Sequence, residues 1–221
     1  MFFAVSTWLM IDTIMLIHKK LPCLTRVFLM RTWDSHPFFI VGYSACFINI
    51  MRISTLLLLF LILSGCTGLP KGIEPVDNFE LNRYLGKWYE IARLDHSFER
   101  GMKNVSAEYS LREDGGVKVI NRGFLVEDKE WRQAEGKAYF VETTDKGYLK
   151  VSFFGPFYGS YIVFELDKEK YQYAFVAGYN KSYLWLLSRT PTVNNELVDE
   201  FVKRSKALGF DTDNLIFVEH N

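Results

Sequence analysis

From residue 79 onward the sequence predicts an all-β domain: an eight-stranded antiparallel up-and-down barrel with a C-terminal helix packed outside it. Three observations predict it. Strand-length runs alternate bulky side chains with small or polar ones, turn chemistry separates the runs at short intervals, and no helical period appears until residue 195. Closing eight such strands removes both sheet edges and, at this strand number, leaves room inside for one small ligand.

Asn82, Arg83 and Tyr84 make a short turn that stops at Gly86, after which Trp88, Tyr89 and Ile91 carry the bulky and branched side chains that favour a pleated strand. Strands are expected at about 86–94, 103–111, 116–126, 131–142, 148–154, 160–167, 171–179 and 183–189. The turns 113–116, 127–130, 144–147, 167–170 and 180–182 hold Gly, Asp or Asn, which tolerate the positive φ of tight hairpins. Two connections differ: 95–102 is longer and holds His96, Phe98 and Arg100, as a loop folded over one barrel end would, and 155–159 is a rigid aromatic turn around Pro156. Beyond Pro191, helical spacing of Leu197, Val198, Phe201, Val202 and Leu208 predicts a helix over 195–208, capped by Asn194, stopped by Gly209, and lying with that face on the outer wall. A last short strand at 215–218 is expected beside the first.

Lysine plus arginine equal aspartate plus glutamate at 26 each and are scattered, which excludes the electrostatic footprint of a nucleic-acid binder. The aromatic share of 16% exceeds what a small core needs, so the rings either pack tightly or line a cavity. No disulfide can form within the domain, because the three cysteines are Cys23, Cys46 and Cys66. His18, His36, His96 and His220 show no metal-ligand spacing, and neither a metal nor another cofactor is expected.

Ahead of the domain, Met51-Arg52, an apolar run from 53 to 63 and Ser64-Gly65-Cys66 follow one another as the charged, hydrophobic and small-residue parts of an export signal. The run is too short to span a bilayer, which takes ~20 apolar residues. Leu-Ser-Gly-Cys resembles the bacterial lipobox, which implies that Cys66 becomes the lipid-bearing first residue of the mature chain. With Thr67 rather than Asp next, the resemblance implies the outer membrane, with the domain facing the periplasm. Residues 51–65 are thus expected to be a lipoprotein signal peptide and 66–78 a flexible spacer. Residues 1–50 are either a further membrane segment or a non-native upstream extension from a start codon placed too early; the complete signal at Met51 favours the second.

Gly86-x-Trp88 opening the first strand, eight antiparallel strands, and Arg189 closing the eighth before a helix resemble the lipocalin family over about residues 79–220. The runs 84–93, 95–101, 150–159 and 183–191 are similar to its bacterial, membrane-anchored branch. The motif Thr-Asp-Tyr of the wider family is replaced by Tyr179-Asn180-Lys181, so no receptor role is implied. The resemblance implies that Trp88 plugs the closed end of the barrel with Arg189 stacked across it, tying down the turn at 82–85. It also implies fatty acids or lysophospholipids as ligands.

Strand alternation selects an inward set: Val105, Ala107, Tyr109 and Leu111; Ala134, Gly136, Ala138 and Phe140; Leu149, Val151 and Phe153; Tyr161 and Val163; Tyr183, Trp185 and Leu187. Tyr109, Tyr161 and the indole N–H of Trp185 are either polar tips that orient an apolar ligand or packing aromatics. Phe140, Phe153 and Trp185 are expected around the tail, Phe98 as a contact from the 95–101 loop, and Arg122 and Glu108 at the mouth. An enzyme is the weaker reading, since no Gly-x-Ser-x-Gly elbow or Ser-His-Asp constellation occurs and Cys66 lies outside the barrel. A third reading is an interaction protein, and the sequence does not choose between monomer and homodimer.

Overall fold

The computed structural model describes residues 67–221; the upstream segment, the signal peptide and Cys66 lie outside the described residues. One helical turn, α1 (Leu81–Tyr84), precedes β1 (Gly86–Arg93). Then follow β2 (Met102–Leu111), β3 (Val117–Leu125), β4 (Glu130–Phe140), β5 (Tyr148–Ser152), β6 (Gly159–Leu166), β7 (Tyr173–Ala177) and β8 (Leu184–Ser188). Each pairs antiparallel with its neighbour, and β1 pairs with both β8 and β2, closing the barrel.

All eight strands fall where the alternation places them, with ends displaced by local backbone. Tyr171 takes φ +55° to finish the Asp167 turn, so β7 starts at Tyr173 rather than 171. Helix α2 (Asn195–Ala207) is capped as expected: the Asn194 side chain accepts from Leu197 N at 3.0 Å, and Gly209 past its end takes φ +83°. Leu197, Val198, Phe201, Val202 and Leu208 lie on the outer wall, where Phe201 meets Phe175 at a ring separation of 5.0 Å. β9 (Ile216–Phe217) pairs with the upper part of β1, where β2 has diverged.

Two apolar layers result. An inner cluster around Trp88, Tyr84, Tyr109 and Val176 fills the lower barrel, and an outer one around Ile162, Phe175, Leu186 and Phe201 joins the wall to α2. At the closed end, Gly86 takes φ +91°, a conformation natural only to glycine, and a Cβ there would sit 3.5 Å from Arg189 Nη1. Arg189 Cζ lies 3.9 Å from the Trp88 ring centroid while the guanidinium donates to the carbonyls of Arg83 (2.7 Å), Lys87 (2.9 Å) and Tyr171 (3.2 Å). The Trp88 indole donates to Tyr84 O at 2.7 Å, so plug and clasp hold the same turn from two sides.

The expected flexible spacer is instead a docked strap. The Tyr148 hydroxyl donates to Thr67 O, Ser160 Oγ donates to Gly68 O at 2.8 Å, and Ile73 is buried in the outer cluster. Val76 N then donates to Val163 O at 2.8 Å, and Phe79 N to Asp145 O at 2.7 Å. Its Gly and Pro content suggested looseness; Ile73, Val76 and Phe79 override it by burying apolar surface.

Candidate functional site

Above the Trp88 plug the barrel encloses a cavity of about 250 Å³. Val105, Ala107 and Tyr109 of β2, Ala138 of β4, Leu149, Val151 and Phe153 after β4, Tyr161 of β6 and Trp185 and Leu187 of β8 line it, as alternation predicts. Gly136 keeps the wall thin enough for the Phe153 ring, which would lie 2.8 Å from a Cβ at that position. Phe98, half exposed, reaches the cavity from the β1–β2 loop.

Several expected positions fall elsewhere. Phe140 packs below the cavity, its ring 6.2 Å from Phe79, because β4 runs down to the closed end there; it does not line the lumen. Val163 is buried in the same lower layer. Leu111 is exposed at the last residue of β2, and Ala134 is exposed because residues 130–136 of β4 have β3 on one side but no β5 partner on the other. Arg122 lies outside the barrel with Cζ 4.3 Å from the Trp131 ring centroid, and Glu108 is exposed on the outer face opposite Lys87; neither rings the mouth.

The floor is a tyrosine triad. Tyr161 Oη lies 2.7 Å from Tyr84 Oη and 2.9 Å from Tyr109 Oη, so all three hydroxyls are engaged with one another. Burial pushes all three phenols up, which keeps them neutral. Tyr109 and Tyr161 therefore line the lumen with their polar tips turned inward to the triad.

Toward the mouth lies a cluster that alternation does not reveal. A bulge in β1 between Glu90 and Ala92 brings Glu90 and Arg93, three residues apart, to one face, and Arg93 Nη1 donates to Glu90 Oε1 at 2.7 Å. Arg93 Nη2 donates to Glu99 O at 2.8 Å, and Trp185 Nε1 donates to Glu99 Oε2 at 3.2 Å. His96 Nε2 lies 2.9 Å from the same Oε2. The Glu90, Arg93, His96 and Glu99 side chains are all buried, and both glutamates line the cavity.

Burial and the neighbouring Glu99 charge push the Glu90 carboxyl well up, so it is the member of the pair that takes up a proton first. Burial acts on Glu99 in the same direction but is outweighed by His96, Glu90 and Trp185, which hold Glu99 below its usual value. Around this pair the rings of His96 and Phe98 stack at 3.9 Å, with Tyr183 and Trp185 beside them. Among the described residues, no lysine, arginine or histidine side chain lines the cavity, and its polar lining above the tyrosine floor comprises the two carboxyls, Asn121, Ser106, Ser160, Tyr179 and Tyr183.

Residues 79–220 match the family model described as a lipocalin-like domain. Among curated proteins, the chain is 62% identical over 169 residues to the "Outer membrane lipoprotein Blc" of Vibrio cholerae, covering 76% of this chain and 99% of that one. It is 52% identical over 150 residues to the protein of the same name from Escherichia coli K12, covering 68% and 84%. Insecticyanin from the tobacco hornworm Manduca sexta superposes with a TM-score of 0.56 at 23% identity, covering 70% of this chain and 87% of that one, a likeness of fold alone. With the plug, the clasp and the closed eight-stranded barrel in place, the chain belongs to the lipocalin family.

Proposed function

We propose that this protein is a membrane-anchored binding protein that holds one single-tailed lipid, a lysophospholipid in preference to a free fatty acid, for storage or transport in the bacterial envelope. The observation that carries this is the chemistry of the lumen: apolar walls over a neutral tyrosine floor, with two glutamates and, among the described residues, no cationic side chain lining it. A fatty-acid carboxylate drawn inside would be desolvated without a partner, because the nearest guanidinium, Arg93, is committed to Glu90 and to Glu99 O. A lysophospholipid keeps its phosphate in water, places its tail among Phe153, Trp185 and Val105, and brings an ammonium toward Glu99 and the ring stack of His96, Phe98 and Tyr183.

Anchorage is proposed through acylation of Cys66 at the outer membrane, as the names of the Vibrio and Escherichia relatives support. Several acyl chains hold firmly where one would exchange, since each buried methylene contributes ~0.8 kcal/mol. Translation is proposed to start at Met51, consistent with 76% of this chain matching 99% of the Vibrio protein.

Titration of delipidated protein with lysophosphatidylethanolamine and with palmitate at neutral pH, read through tryptophan fluorescence, tests the reading. Saturable binding of the lysophospholipid at least tenfold tighter than palmitate is expected. Equal or tighter palmitate binding would remove the charge argument, and no saturable binding of either would remove the function.

A further inference from the structure

The seam between β1 and β2 is closed in two ways. In its lower part four residue pairs join the strands directly, from Gly86 with Tyr109 to Tyr89 with Ser106. Above Tyr89 and Ser106 the strands part, and residues 216–221 bridge them. On one side Ala92 and Arg93 of β1 pair with Phe217 and Ile216, and Val218 N donates to Ile91 O at 2.9 Å. On the other side Asn104 N donates to Glu219 O, and Asn104 Oδ1 accepts from Asn221 N, both at 2.8 Å. Among the described residues, these two hydrogen bonds are the segment's only ones to β2.

Both strands are irregular at this level. β1 bulges between Glu90 and Ala92, the β2–β3 register shifts between Lys103 and Ser106, and Asn104 takes φ +55°, which asparagine tolerates. Glu90, Val105 and Ser106 line the lumen, so the parted stretch of wall lies against it. Outside runs a groove of about 310 Å³ lined by Tyr89, Asn104, Ser106, Trp131 and His220, and Ser106 borders both spaces. Little holds the bridging segment down. Leu215 packs on the outer cluster, but no residue of 216–221 joins either apolar cluster, and Phe217 is 53% exposed. His220 adds a bond from Nε2 to Glu90 O at 2.7 Å and an edge-on contact with Tyr89 at a ring separation of 5.5 Å. A segment held by a few surface hydrogen bonds and little buried apolar area opens locally at far lower cost than the barrel unfolds.

We infer that residues 218–221 are a side gate to the lumen: released from Asn104, they unseal the seam between β1 and β2 and give an acyl chain a path through the wall between the lumen and the outer groove. The gate rests on the lipid-binding reading above. Because the two strands are already parted here, opening it breaks none of the direct β1–β2 pairs. The four pairs below stay in place and keep the barrel closed around Trp88.

Hydrogen exchange on the lipid-free protein tests the gate without a ligand. The amides of Asn104 and Val218, which bond across the seam, are expected to exchange at least tenfold faster than the slowest amides of the paired stretches 86–89 and 106–109. Equal protection makes the segment a fixed part of the wall and overturns the gate. Stopped-flow tryptophan fluorescence with lysophosphatidylethanolamine then compares wild type with a chain ending at Phe217. Removing 218–221 is expected to speed both uptake and release at least fivefold and to leave Kd within twofold. Asn104→Gly, which keeps the positive φ and drops the Oδ1 acceptor, is expected to speed both at least twofold. Unchanged rates in the two variants, or a weaker Kd with uptake unchanged, also overturn the gate. A wild type that binds no lipid overturns the reading beneath it and the gate with it, and the exchange data tell that failure from a fixed seam.

Discussion

Trp185 donates its indole N–H to Glu99 Oε2 at 3.2 Å, across the mouth from β8 to the β1–β2 loop. The N–H that sequence alternation offers to a ligand is already spent on a carboxylate, and the loop carrying Phe98 is thereby tied to the barrel. Glu99→Gln removes the charge that balances this buried cluster while Arg93 stays, and is expected to destabilise the fold by about 3 kcal/mol, the scale for breaking one side of a buried pair. Chemical denaturation midpoints at neutral pH check this. Because the Glu99 carboxyl is held below its ordinary value, its contribution is present above the unfolded value and is lost as pH falls through the folded one, so the gap between wild type and variant should close in acid.

Glu90 predicts the opposite trend. Its raised value means that its contribution is fully present below the ordinary glutamate value and is lost as pH rises toward the raised one. Glu90→Gln keeps an acceptor for Arg93 and a donor for Glu99 without a titrating proton. The variant is expected to match wild type near pH ~4 and to exceed it increasingly above that, as urea midpoints across a pH series would show.

At the closed end, Arg189→Ala deletes a cation–π contact and leaves the carbonyls of Arg83, Lys87 and Tyr171 without their donor. A loss of about 2 to 4 kcal/mol is expected from those terms together. Gly86→Ala forces a Cβ into positive φ and is expected to cost about 1 to 2 kcal/mol. Both should leave lipid affinity within twofold in the folded fraction, since neither residue lines the cavity.

Tyr161→Phe leaves the Tyr84 and Tyr109 hydroxyls without their shared partner. A loss of about 1 to 3 kcal/mol in stability is expected, with little change in affinity for an acyl chain. A thermal melt beside a lipid titration separates the two.

Most of the fold was legible because local rules and the barrel agree. Alternation located the strands, Asn194 and Gly209 bounded α2, and Gly86, Trp88 and Arg189 marked the closed end. The wall of the lumen was legible for the same reason, down to Tyr109, Phe153, Tyr161 and Trp185. Period two says which face a residue takes but not its height in the barrel, so Phe140 and Leu111 were assigned to a cavity that ends above them. Glu90 and Arg93 were missed because a bulge resets the alternation between them, and Glu99 because it lies in a loop, where alternation has no meaning. The strap was misjudged from composition: Gly and Pro were visible, but the groove that receives Ile73 and Val76 is built by β5 and β6.

The central claim is that the lumen holds one single-tailed lipid, and native mass spectrometry of the mature lipoprotein, extracted in mild detergent and compared with Ala107→Trp, tests it most directly. Ala107 lines the cavity on β2, and an indole there would occupy a large part of its roughly 250 Å³. The account predicts one bound lysophospholipid per chain in wild type and its loss in the folded variant. Equal occupancy in both proteins, or more than one lipid per chain unaffected by the substitution, would place the lipid outside the barrel and contradict it.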